Sequence, residues 1–116
     1  MPTVQQLINY LRANNHIGSA SPITAEDLAT HFGISDGGVQ VEMRDVIRDA
    51  ISQNELIGSH NRGFYIIGTL AELEDNLDSL QSRAENILLR RRNMRISWNN
   101  QNAINQTTQT DLFVKP

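Results

Sequence analysis

The chain has 116 residues, 39% of them apolar, a formal charge of −3 and no cysteine. That length suits one small domain with an appendage and a core of limited size, and the lack of cysteine excludes disulfides and thiolate-held metals, as suits a reducing compartment. The apolar runs are too short to cross a bilayer and Met1-Pro2-Thr3-Val4 lacks a basic-then-apolar leader pattern, so the expectation is a cytoplasmic protein with no membrane partner.

A first helix is predicted over about Val4 to Ala13. Thr3 and Gln6 have capping-box spacing, and Val4, Leu7, Ile8 and Leu11 form one apolar stripe. Asn14-Asn15 and Gly18 stop it, and Ser19 to Pro22 form a loop that Pro22 keeps extended. Thr24 caps a second helix with Asp27 at N3, and Leu28, Ala29 and Phe32 point inward. Gly33 supplies the left-handed end. Ser35 or Asp36 caps a third helix over about Gly38 to Gln53. Its inward residues are Val39, Met43, Val46, Ile47, Ala50 and Ile51.

Two β-rich runs follow, Glu55 to Ser59 and Phe64 to Ile67, joined by His60-Asn61-Arg62-Gly63 as a hairpin. Thr69 and Glu72 have capping-box spacing and open a long helix over about Leu70 to Ile96. Leu70, Leu73, Leu77, Leu80, Ala84 and Ile87 make a heptad seam of about two and a half repeats. That seam either pairs with a second chain as a homodimer or folds back as cover for its own domain. From Trp98 to Thr108 the composition turns polar and reads as a linker, before the apolar cluster Leu112-Phe113-Val114.

Charge is unevenly placed. Residues 1–69 hold four arginines and seven acids, residues 72–85 hold five acids and one arginine, and residues 90–95 hold four arginines and no acid. Any affinity for nucleic acid must therefore rest on a few placed arginines and be sensitive to salt. His16, His31 and His60 are scattered without metal-ligand spacing, and Gly37-Gly38 lacks the lysine of a phosphate loop. Carboxylates such as Glu72 and Asp75 read as the solvated face of a helix. No catalytic residue set, metal or cofactor is expected.

The order helix, extended segment, helix, tight turn, helix, hairpin resembles the winged helix-turn-helix domains of bacteria and their phages. Two stretches carry that resemblance: Thr24-Ala25-Glu26-Asp27-Leu28-Ala29-Thr30-His31-Phe32-Gly33-Ile34-Ser35 for the helix-turn, and Ile57-Gly58-Ser59-His60-Asn61-Arg62-Gly63-Phe64-Tyr65-Ile66 for the wing. The fold it implies is mainly α with a small β-hairpin: a winged helix-turn-helix over residues 1–68, a long dimerisation or cover helix over 69–97, and a tail over 98–116. It implies binding of double-stranded DNA. The third helix would enter the major groove through Gln40, Val41, Arg44 and Arg48, with Gln40 suited to adenine and Arg44 to guanine. Ser59, His60, Asn61 and Arg62 at the wing would meet phosphate or the minor groove. Arg90, Arg91, Arg92 and Arg95 read either as a phosphate-backbone clamp beside the wing or as a solvated helix end stabilised by its dipole.

Gln109-Thr110-Asp111-Leu112-Phe113 resembles the short peptide by which bacterial polymerases and repair proteins bind the replication sliding clamp; Thr110 departs from the usual leucine. The resemblance implies that Leu112 and Phe113 fill an apolar pocket while Gln109 bonds at its rim and Asp111 holds the third place. The two expectations together are a DNA-binding accessory or regulatory protein of a phage or mobile element, acting in replication or transcription, or an interaction factor that binds or inhibits the clamp without needing DNA.

Overall fold

The computed structural model describes residues 2–34 and 40–111. It is mainly helical, with α1 (Val4–Ala13), α2 (Ala25–Phe32), α3 (Val41–Ser52), β1 (Ile57–His60), β2 (Gly63–Ile66) and α4 (Leu70–Gln101) in that order. By its contacts the chain forms two compact units, Met1–Asn76 and Leu77–Pro116, so the first two turns of α4 belong to the first unit.

Local chemistry sets the helix ends. Thr3 accepts from the Gln6 backbone at 3.1 Å while the Gln6 side chain accepts from the Thr3 backbone at 2.9 Å, closing the expected capping box. Thr24 accepts from the Asp27 backbone, and Gly33 ends α2 in the left-handed region at φ 70°. The proposed caps Ser35 and Asp36, and the inward Val39, lie outside the described residues. Described helical structure resumes at Val41, after a left-handed Gln40. Leu7 and Leu11 of α1, Leu28 of α2 and Met43 of α3 are fully buried at the centre of the first unit, in a core shared with Val46, Ile47 and Ala50 of α3 and with Ile57 and Ile66 of the hairpin. Ile51, expected inside, is 50% exposed, because it lies about 100° around the helix from the Met43–Ala50 line.

The hairpin is antiparallel, with Ile57 opposite Ile66 and His60 opposite Gly63, so the turn is Asn61-Arg62. It is two residues shorter than the sequence suggested, because His60 and Gly63 pair as strand residues. β2 is also tied to the segment between α1 and α2. Ile23 donates to the Phe64 carbonyl at 2.9 Å and Phe64 donates back at 2.8 Å; Ile66 donates to the His16 carbonyl and Gly18 to that of Ile66, both at 2.8 Å. Gly63, at φ 134°, is required at this seam, since a Cβ there would collide with the Ile23 carbonyl.

α4 runs to Gln101, five residues past the expected end, and buries none of its residues. Its start is fastened to the first unit. Thr69 accepts from the Glu72 backbone, and the Glu72 carboxylate accepts from the backbone of Ser19 at 2.6 Å and of Gly68 at 2.9 Å. Glu72 is thus a tie between loops, not only the solvated carboxylate its helical context suggested. The backbone donors Ser19 and then Gly68 hold its pKa at about 2, below the ordinary 4.5. A pKa depressed on folding stabilises the native state above about pH 4.5, and that contribution is lost as pH falls towards 2. Glu72→Gln should therefore unfold at a lower temperature than wild type at pH 7, with the two melting curves converging near pH 2 when followed by circular dichroism.

Candidate nucleic-acid interface

The outer side of α3 follows from its inner side. Met43, Val46, Ile47 and Ala50 are buried, which turns Val41, Arg44 and Arg48 outward by helical periodicity. Val41 is 52% exposed, Arg44 is exposed, and the Arg48 side chain is exposed while forming a 2.9 Å ion pair with Asp45. Glu42 and Asp49 are exposed as well. The face is therefore of mixed charge, with two arginines four residues apart. Gln40 sits differently from the other three. It is the half-buried N-cap residue at φ 56°, a conformation that costs a non-glycine residue about 1–2 kcal/mol.

The expected wing residues divide into two pairs. Asn61 and Arg62 are exposed at the turn. Ser59 and His60 are half-buried and hydrogen-bonded within their own unit. The Ser59 backbone donates to Asn76 Oδ1 at 3.0 Å, and Asn76 donates to the Tyr65 hydroxyl and to the Glu72 carbonyl, both at 2.8 Å. His60 Nδ1 accepts from the Arg62 backbone at 3.1 Å. That leaves Nε2 as the protonated nitrogen, and it donates to the Ser19 carbonyl at 2.8 Å. The ring lies 5.3 Å from that of Tyr65. His60 is thus a brace for the turn that presents Arg62. Elsewhere in the unit His31 stacks on Tyr10 at 3.8 Å, and His16 bonds the Ser21 carbonyl. Among the described residues no group of three His, Cys, Asp or Glu could hold a metal ion, and no helix is long and apolar enough to cross a membrane.

The second unit holds the other arginines and the start of the pentapeptide. Asn102 to Asp111, expected as a free linker and peptide, returns along α4. Trp98 Nε1 donates to the Asn105 carbonyl at 2.9 Å, and the Thr107 backbone donates to Asn99 Oδ1 at 2.9 Å. Arg91 donates to the Thr110 carbonyl at 2.8 Å and to Gln109 Oε1 at 2.9 Å. Arg95 meets Asp111 Oδ1 at 3.0 Å, and Arg92 lies 3.7 Å from Oδ2. Arg90 is exposed. Three of the four arginines are therefore occupied by Gln109, Thr110 and Asp111. Leu112 and Phe113 lie outside the described residues.

Two residues that organise these sites had different visibility in sequence. Glu72 was marked by its distance from Thr69, but its reach to Ser19 needs the fold. Asn99 was hidden in a polar run and carries no local signal. Comparison with family models, curated proteins and solved structures found no match to this chain.

The brace and the exposed cation should separate on mutation. His60→Ala, which removes two hydrogen bonds at the turn, should cost about 1 kcal/mol or more of stability. Arg62→Ala should stay within about 0.5 kcal/mol. Urea unfolding midpoints measure both.

Proposed function

We propose that the first unit is a winged helix-turn-helix that binds double-stranded DNA, placing α3 in the major groove and Arg62 on the neighbouring backbone. The observation that carries this reading is the outward row Val41, Arg44 and Arg48 on a helix whose opposite side is core, in a unit whose hairpin is hydrogen-bonded to the segment before α2. A row of this kind can offer Arg44 to a guanine edge and Arg48 to a phosphate. The role is that of an accessory or regulatory factor of phage or mobile-element type, acting in replication or transcription by recognition without covalent chemistry. The acids beside the row, and the Arg48–Asp45 pair, make binding modest and steeply dependent on salt.

Gel shifts on random and genomic duplexes test this. Arg44→Ala and Arg62→Ala should each weaken binding about 5- to 100-fold, and each lost phosphate contact should flatten the salt dependence by about one unit of slope. Full-length protein that shifts no duplex at low salt ends the reading.

The seam of α4 supports a second copy of the chain as a further partner. Leu77, Leu80 and Ile87 are 53%, 57% and 60% exposed on a helix that buries none of its residues. Acids occupy residues 72–85 and arginines residues 90–95, so an antiparallel pair sets opposite charges against each other and a parallel pair sets like against like. Sedimentation should give a dimer at micromolar concentration, and Leu80→Glu with Ile87→Glu should give a monomer that retains the fold of the first unit. The alternative reading, an interaction factor for the bacterial sliding clamp, rests on Gln109, Asp111, Leu112 and Phe113. A pull-down from bacterial lysate that recovers the clamp with the intact chain, and loses it without residues 109–116, would support it.

A further inference from the structure

We propose that Arg91, Arg92 and Arg95 form an electrostatic latch on Gln109 and Asp111, which a phosphate chain opens by taking the same arginines. The inference rests on the reading of this protein as a nucleic-acid binder and adds how its tail is controlled.

The tail is held in two zones of different chemistry. The upstream zone is neutral: Trp98 and Asn99 bond the backbone of Asn105 and Thr107, and Gln106 donates to the Asn99 carbonyl. The downstream zone is ionic. Arg91 reaches Gln109 and Thr110, and Arg95 and Arg92 flank the Asp111 carboxylate. Added salt or a competing anion weakens the second zone and leaves the first nearly untouched.

The charge balance makes the latch openable. Asp111 is the sole acid from residue 86 onward, against four arginines within 90–95, two of which it meets. One carboxylate cannot neutralise that group, and these ion pairs are partly exposed to solvent. A duplex carries a charge about every 1.7 Å of its axis, so it offers several phosphates where the tail offers one carboxylate. The guanidinium forks suit either anion, but cannot hold both in one place.

Closure also occupies the pentapeptide. With Gln109 Oε1 on Arg91 and Asp111 on Arg95, two of its matching side chains are committed inside the unit. Opening frees them, so binding a phosphate chain and presenting the tail to a partner become one event.

The chain lacks cysteine and has a single tryptophan, which permits a clean test. In the full-length protein, Thr110→Cys carries a dansyl acceptor and Trp98 is the energy donor. A random-sequence duplex and inorganic polyphosphate should each lower the transfer. Asp111→Asn should lower it with no polyanion present. The same substitution should tighten duplex binding about 3- to 10-fold, the factor for abolishing a closed state populated at about two-thirds to nine-tenths. Asp78→Asn, an equal charge change elsewhere on α4, should alter either reading by less than about twofold. Duplex binding with transfer unchanged overturns the latch and leaves the DNA reading intact. Release by polyphosphate in a chain that binds no duplex supports the latch and removes DNA as its ligand. Transfer that neither the polyanions nor Asp111→Asn alters overturns the proposal outright.

Discussion

The reciprocal hydrogen bonds between Ile23 and Phe64 are the constraint on which the first unit depends. A two-stranded hairpin is marginal by itself in water. Here β2 gains a second neighbour from the segment that joins α1 to α2, with His16 and Gly18 extending the contact to Ile66. Gly63 is needed there because the Ile23 carbonyl occupies the space a side chain would fill. With the hairpin so anchored, the Asn61-Arg62 turn stands on a fixed base, and His60 and Tyr65 support it from below.

The second unit is organised by different forces. Its part of α4 buries no side chain, so the burial that stabilises α1 to α3 is missing there. Helix propensity and the returning tail take over part of that role. The arginines of residues 90–95, expected at the helix end, stop short of its last turn, which holds no basic residue, so the helix macrodipole adds little there. The return of the tail explains why Arg91 is tolerated where the heptad pattern asks for an apolar residue: its guanidinium is used by Gln109 and Thr110. A surface ion pair contributes only about 0–1 kcal/mol, so an arrangement of this kind is suited to being rearranged, unlike the core around Met43 and Leu28.

Legibility in the sequence followed the range of each interaction. The ends of α1 and α2 were readable because Thr3, Gln6, Thr24 and Gly33 act on backbone groups only a few residues away. The outward side of α3 was readable from periodicity, apart from Gln40, half-buried at the N-cap, and Ile51, which sits at the border of the buried stripe. The hairpin was expected with a longer turn, since composition alone does not reveal that His60 and Gly63 pair. The tail was read as free because asparagine and glutamine do not build apolar cores. Their amides instead bond backbone groups of Thr107, Asn99 and Trp98, a use of polar side chains that carries no periodic trace.

By itself the sequence determined where α1 and α2 begin and stop, which described α3 side chains face inward apart from Ile51, and that the arginines of residues 90–95 lie together, because these depend on neighbours within one or two turns of chain. Only the tertiary structure decided that Glu72 ties Ser19 to Gly68, that His60 braces the turn instead of facing outward, and that Arg91 and Arg95 meet the tail. Except for Gly68, four residues from Glu72, those partners are 16 to 53 residues apart in sequence. Bringing such groups within about 3 Å requires the chain to have folded first.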